Sequence, residues 1–365
     1  MVAALALAGW SAVQAATYEL IGLGSYGGSS AATDINNLGQ IVGNADVLDQ
    51  YGWASQAFSY QFGVGAVNLG AGRGSTAQAI NDAGLIVGSH GPFLRTTAFS
   101  YTASGGLQDI AVSGSYASEG TAVNKQGQIG VAWVSAKTLT AKTPAIVVQP
   151  DRSQSALTSL GGQSSRIHGI NSAGVIVGQV SASTLAPDNT QAFQMNPDGS
   201  TFVWNMPYGS TANAINDQGA IVGSINNQDM AHGSQAFLYT PGQGVQTLAW
   251  DHSRALDINS LGWVIGQYRV DSYRQGSFLY QPGVGVSDLQ SLLPEDERWS
   301  QLSAAAINDL GQIVGSGLYQ GHREAFVMNL TGRGITAVPE AGTHGLMALG
   351  LVGIGALTRR QHRRA

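Results

Sequence analysis

Cysteine is absent from the 365 residues. That excludes a disulfide framework and any thiolate metal site, so stability must come from packing and strand pairing. Charge is scarce too: Asp, Glu, Lys and Arg make up 11%, against about 25% in an ordinary soluble domain. Part of the positive charge sits in the last seven residues, as Arg359, Arg360, Arg363 and Arg364. The body from Thr17 to Val338 holds 21 acidic and 13 basic residues, a net charge of −8. Such a body lacks the basic patch that neutralises phosphates, which argues against nucleic acid as a partner. No long 3.6-residue hydrophobic period occurs, so helices are not expected. The seven histidines are scattered without ligand spacing, and no transition-metal site is expected. There is no EF-hand calcium loop, no G-x-S-x-G and no P-loop, and Gly-x-Gly runs such as "GLGSYGG" open no helix. No cofactor is expected.

What is present is repetition. "INNLGQIVG" starts at Ile35, "INDAGLIVG" at Ile80, "INSAGVIVG" at Ile170, "INDQGAIVG" at Ile215, "INSLGWVIG" at Ile258 and "INDLGQIVG" at Ile307, with a worn copy, "VNKQGQIGV", at Val123. The asparagines of these copies are Asn36, Asn81, Asn124, Asn171, Asn216, Asn259 and Asn308, at steps of 45, 43, 47, 45, 43 and 49. A period in this range means a solenoid, a propeller or an array. A second signature follows the first: "QAFSY" at Gln56, "TAFSY" at Thr97, "QAFQM" at Gln191, "QAFLY" at Gln235, "GSFLY" at Gly276 and "EAFVM" at Glu324. Gly-rich turns come next, as in "TPGQGVQTL" from Thr240.

One unit therefore reads as four short strands, here lettered a to d: A-x-x-I-N, G-x-I-V-G, A-F-x-Y and V-x-x-L. The Asn side chain starts a tight a–b turn by bonding the backbone two residues on. The Gly supplies positive φ where the hairpin turns back with a bulge. Four strands per period of about 45 residues is a propeller blade, and seven blades are a common number. The fold expected is all-β, a seven-bladed β-propeller of four-stranded antiparallel blades. A β-helix is the rival, but the repeats carry no distinct caps, which an open solenoid requires. A spare fourth-type strand, "YELIGLG" at Tyr18, precedes the first copy, and "GITAV" at Gly334 could serve the last copy instead. The N-terminal strand is the preferred closure, because the C-terminal tail must leave the body.

On I-N-x-x-G-x-I-V-G and the Ala-Phe pair, the repeats resemble the HAF family of extracellular repeat proteins over nearly the whole body. The residue before Ala-Phe is mostly Gln here, where the family name implies His. The resemblance implies a propeller-like repeat fold and an extracellular location.

The two ends read as addresses. Residues 1–16 carry an apolar run, Val2 to Trp10, and small residues Val13 and Ala15 at the positions a signal peptidase reads. Residues 339–365 follow a propeller domain spanning 17–338. This tail has three parts: Pro339 and Glu340, an apolar run from Gly345 to Leu357, and the arginine cluster. The run is short for a lone span, and arginine stems can lengthen it by snorkelling. Basic residues after it predict a cytoplasmic tail end. The tail resembles the PEP-CTERM sorting signal: Val338, Pro339 and Glu340 match its box, Ala341 replaces its second proline, and Arg359, Arg360, Arg363 and Arg364 supply its basic cluster. The resemblance implies export, transient inner-membrane anchoring, an exosortase-type sorting enzyme as partner, and a cell-surface or matrix destination.

In an up-and-down meander, turns fall on alternate edges of the sheet. The tight a–b and c–d turns share one face, and the long, variable b–c and d–a loops share the other. Rigid scaffolds carry function on such loops. A ligand-binding face is expected there, with Tyr51, Trp53, Arg95, Tyr268, Arg269, Tyr273, Arg274, Tyr319, His322 and Arg323 from the b–c loops. Aromatics among polar groups suit an extracellular polysaccharide or a surface protein. Catalytic candidates are weak. Asp34 and Asp257 stand where other copies have Ala or Gly, near the channel mouth, and paired carboxylates serve glycosidases as acid and base. His168 is a third candidate. The expectation is a non-catalytic binding or structural propeller; the alternative is a polysaccharide hydrolase or lyase built on those three residues.

Overall fold

The computed structural model describes residues 18–331 except 93, 136–141, 162–163, 182–189, 205, 207, 228–232, 272–273 and 295–297. It is the all-β, seven-bladed propeller that the repeats predict: seven four-stranded antiparallel sheets. Blades 1 to 6 each use four consecutive strands and span 30–68, 76–110, 115–156, 164–203, 210–251 and 253–288. Blade 7 takes its a, b and c strands from Trp299–Ile307, Ile313–Tyr319 and His322–Leu330 and its outermost strand from Tyr18–Gly24. The N-terminal strand therefore closes the ring, pairing Tyr18 with Leu330 and Gly22 with Phe326. Two single-turn 3-10 helices interrupt the strands. No helix among the described residues is long and apolar enough to cross a membrane. The signal segment 1–16, the box at Val338–Glu340 and the tail with its arginines lie outside the described residues.

Period-two alternation explains why "IV" recurs. Both faces of every blade are buried, so both residues need apolar side chains. Ile41 packs toward blade 7 and Val42 toward blade 2; Ile86 packs toward blade 1 and Val87 toward blade 3. The core is accordingly seven apolar clusters, one at each blade interface. Six are anchored by the Phe of the second signature: Phe58, Phe99, Phe193, Phe237, Phe278 and Phe326 are all buried. Each such ring contributes roughly 1.5–3 kcal/mol by leaving water.

The glycine of the a–b turn has positive φ in all seven copies, from 73° at Gly262 to 84° at Gly127. The bulge is elsewhere. It falls three residues before each Asn, as at Thr33, Gln78 and His168, where the register of strands a and b shifts. Just beyond the bulge, the glycine of "IVG" lies directly over a strand-a carbonyl: Gly43 on Ala31, Gly88 on Thr76, Gly315 on Ser303. A Cβ there would overlap the oxygen. The worn copy in blade 3 reverses the pair, with Gly120 on strand a opposite Val131 on strand b.

Two rings of hydrogen bonds join the blades. In the first, each repeat Asn bonds within its own turn and also to the next blade. Asn36 Oδ1 accepts from Leu38 and Gln40 N–H at 3.0 and 2.9 Å. Its Nδ2 donates to the carbonyl of Asn81 at 3.1 Å. Asn81 donates to Asn124, Asn124 to Asn171, Asn171 to Asn216, Asn216 to Asn259, and Asn259 to Asn308. Asn308 returns to Asn36 at 3.0 Å. All seven asparagines are buried, where an unpaired amide would cost about 1–3 kcal/mol.

In the second ring, a serine six residues before the Asn accepts from the Ala N–H of the preceding blade's c strand. Ala325 donates to Ser30, Ala57 to Ser75, Ala98 to Ser118, Ala145 to Ser165, Ala192 to Ser210 and Ala236 to Ser253. At the interface of blades 6 and 7 the hydroxyl changes sides. Leu302 occupies the serine position and Ser277 the alanine position, and Ala304 N–H donates to Ser277 Oγ at 2.9 Å.

Candidate functional site

The inner a strands carry the channel candidates. Asp34 and Asp257 are both half-buried. Each uses both carboxylate oxygens on backbone N–H groups. Asp34 accepts from Ile35 and, across the interface, from Ile80 of blade 2, both at 2.8 Å. Asp257 does the same with Ile258 and with Ile307 of blade 7. Where other copies have Ala or Gly, these two carboxylates clamp a blade to its successor. Burial, with the Asp257 charge second, pushes Asp34 up to about 8; burial pushes Asp257 up to about 6. His168 is the bulge residue of blade 4. Burial and the neighbouring Arg166 push it down to about 4, and its Nε2 has no hydrogen-bond partner. The bulge position elsewhere bridges blades: Thr33 Oγ1 donates to the Ala77 carbonyl at 2.7 Å and Thr121 Oγ1 to that of Ile167 at 2.7 Å. Nearer the loops, Gln78 and Arg166 both donate to Glu119, at 2.6 and 2.7 Å, spanning three blades. Among the described residues, no three His, Asp or Glu side chains converge as a metal site requires.

The b–c and d–a loops share one face, as the meander dictates, and the b–c candidates that are described lie on it. Tyr51 and Trp53 ride on a hairpin formed by Ile41–Asp49 and Gly52–Gln61, whose tip is fixed by an Arg73–Asp49 ion pair. Arg73 also lies over the Tyr51 ring, 5.7 Å from its centroid. Arg95 covers the Tyr116 ring at 5.1 Å. Tyr268 stacks on Trp250, centroids 4.5 Å apart, and donates to the Asp288 carboxylate; burial, then Asp288, pushes its phenol up to about 12. Arg269 ends its strand and is exposed, Arg274 pairs with Asp271 at 2.7 Å, and Tyr319 packs on Trp299. Tyr273 lies outside the described residues.

Three clefts open between blades on this face. One of about 280 Å³ lies between blades 3 and 4 around Glu119, Trp133 and Arg166. One of about 400 Å³ between blades 5 and 6 gathers His252, Arg254, Tyr268 and Arg269. A third, about 620 Å³, straddles the closing seam of blades 7 and 1 and brings Trp53, His322 and Arg323 together. Two further clefts, about 450 and 190 Å³, lie on the tight-turn face. Asp46 and Gly28 also line the seam cleft; neither is among the loop candidates, and the signal for them in the sequence is the Gly27-Gly28 pair before strand a of blade 1.

No family model matches the chain, and no curated protein matches it. Among solved structures, puromycin hydrolase in its S511A form matches with a TM-score of 0.52 and 11% identity, over 80% of this chain and 50% of that one. The unsubstituted puromycin hydrolase gives 0.51 and 12%, over 81% and 51%. TolB from Acinetobacter baumannii gives 0.44 and 14%, over 79% of each chain. At these identities the likeness is one of fold: the chain is similar to β-propeller proteins.

Proposed function

We propose that this chain is an exported, non-catalytic β-propeller that binds a partner at the bacterial cell surface or in the extracellular matrix through its variable-loop face. The observation that carries this reading is the division of labour in the side chains. Asp34, Asp257 and Glu119 are engaged in bonds between blades, whereas Tyr51 and Trp53 stand 75% and 54% exposed on the loop face. A general acid or base must reach its substrate, and a carboxylate held by two backbone N–H groups is directed into the fold.

The sorting reading rests on the sequence tail and on topology. Strand c of blade 7 runs from the variable face to the tight-turn face and ends at Leu330, beside Tyr18. The tail is read as anchored briefly in the inner membrane and processed by an exosortase-type enzyme. Loss of the arginine cluster (Arg359, Arg360, Arg363 and Arg364 all to Ser) is expected to stop sorting, measured by fractionation and intact mass. Binding is tested by glycan-array and surface-protein capture with a parallel polysaccharide-cleavage assay. The reading requires retention without cleavage. Cleavage abolished by Asp257→Asn would replace it with the hydrolase or lyase alternative.

A further inference from the structure

The seam cleft is built differently from the rest of the face. Its first wall is the Ser25–Ser29 loop, which joins the closing strand to blade 1. That loop is pinned: Gly28 N–H donates to the Ser25 carbonyl at 3.0 Å, Asp46 N–H to that of Ser29 at 2.7 Å, and the Tyr26 hydroxyl to that of Leu23 at 2.7 Å. Tyr26 holds φ at 52°, a conformation a tyrosine adopts only when its surroundings impose it. The second wall is the projecting hairpin of blade 1. Leu48 pairs directly with Trp53 and Asp46 with Ser55, so Asp46, Leu48 and Trp53 share one side of it. The third is the b–c turn of blade 7, with Arg323 held by Ser316 Oγ at 3.1 Å and Glu324 beside it.

Trp53 is the central feature. A Cβ on Gly28 would come within 2.8 Å of its Cζ3 atom, and one on Gly27 within 3.8 Å of the ring. The indole therefore rests on bare glycine backbone, and 54% of the residue remains open to solvent. A large apolar ring, fixed from below and left uncovered above, is a platform in search of an apolar face. Around it are an acceptor and donors, the Asp46 carboxylate, the Arg323 guanidinium and the His322 ring.

We infer that the seam cleft is a saccharide site. A pyranose ring stacks its C–H face on Trp53 and offers its hydroxyls to Asp46 and Arg323. One carboxylate and one guanidinium balance in the cleft, with His322 alongside, and a balanced site favours a neutral polysaccharide over a polyuronate or sulfated chain. The inference rests on the proposed binding function and specifies its ligand.

Affinity electrophoresis of the full chain through gels containing dextran, a soluble β-glucan, mannan or galactan, with polygalacturonate alongside, tests it. Retardation is expected by at least one neutral polymer and not by the polyuronate. Trp53→Ala should weaken it about tenfold or more, as loss of an aromatic anchor does, and Trp53→Phe should largely restore it. Phe202→Ala removes an aromatic of similar exposure (55%) on the outer edge of blade 4 and should change nothing. Circular dichroism and the melting temperature establish that each variant is folded. Undiminished retardation of Trp53→Ala overturns the site and leaves the binding function standing. Stronger retardation by polygalacturonate overturns the ligand class. Retention of surface proteins but of no polysaccharide overturns the site's chemistry and keeps the function; retention of neither overturns both.

Discussion

The repeated letters of the tight-turn face and the variable loops of the other face use their side chains in opposite ways, although variable turn positions such as Leu38 and Val64 are exposed too. On the tight-turn face, the same letters recur in every blade and nearly all point inward. Asn36 and its six counterparts are buried, and their amides run from blade to blade without a break. On the loop face the long loops share no motif, and Leu48, Tyr51, Trp53, Leu94, Tyr116, Tyr208 and Trp250 are each more than two-fifths exposed. The difference teaches that repetition in this chain records ring closure, while departures from repetition record what each blade was left free to do. The ring needs every interface to be packed and paired, so mutations of the repeat should harm stability. The loop face needs no equivalence, so its residues should be removable without loss of fold.

That contrast can be broken in graded ways. Deleting Tyr18–Gly24 removes the outer strand of blade 7 and uncovers a hydrogen-bonding edge and the buried Tyr18 contact. The expected result is an aggregating chain with no monomer peak in size exclusion, because exposed edges pair with other chains. Asn308→Ala is next. It removes the closing bond to Asn36, the bond to Gln312 and both acceptor contacts in its own turn. With several buried groups left unpaired, the loss should be about 3 kcal/mol in urea unfolding. Ser75→Ala strips one hydroxyl that Ala57 N–H donates to, and about 1–2 kcal/mol is expected. Ser277→Ala should cost the same, although Ser277 lies on the other side of its interface.

The pH dependence sharpens the comparison within the channel. An unfolded aspartate loses its proton near pH ~4, whereas native Asp34 keeps it up to about 8. Between those values the native state binds more protons, so stability falls as pH rises. Asp257 passes its midpoint at about 6 and completes its change about one pH unit higher. His168 acts below its ordinary pKa and with opposite sign, since its folded value is depressed to about 4. From about pH 7.5 to 8.5 Asp34 is the main contributor of the three. The melting temperature should decline across that window in the wild type and stay nearly flat in Asp34→Asn. The smallest effect on stability is expected at the loop face: Trp53→Ala should alter urea unfolding by less than about 0.5 kcal/mol.

The blade plan was legible because a strand–turn–strand unit is a local object, and its turn glycine and Asx bond sit within nine letters. The closing strand was legible for the same reason, since "YELIGLG" has the form of a d strand. The asparagine ring was not. One hairpin accounts for Oδ1, and the partner of Nδ2 lies 43 to 49 residues away. The serine ring left a trace in the letters, a Ser six residues before the Asn in six of seven copies, but its donor is on another blade. Asp34 and Asp257 stood out as departures, yet what they hold, the N–H groups of Ile80 and Ile307, belongs to the next repeat. The sequence also put the bulge at the turn, whereas it precedes the Asn by three residues, where the "IVG" glycine makes room for a carbonyl. Trp53 was visible as a loop aromatic. Its footing on Gly27 and Gly28 was not, because the two meet only when strands a and b of blade 1 pair and bring the preceding loop against the hairpin.

The decisive measurement is urea unfolding of Asn308→Ala beside Trp53→Ala, each compared with the wild-type chain under the same conditions. A ring held by its repeats predicts a large drop in the midpoint for the first and no resolvable change for the second. Equal midpoints, or a larger drop for Trp53→Ala, would contradict it.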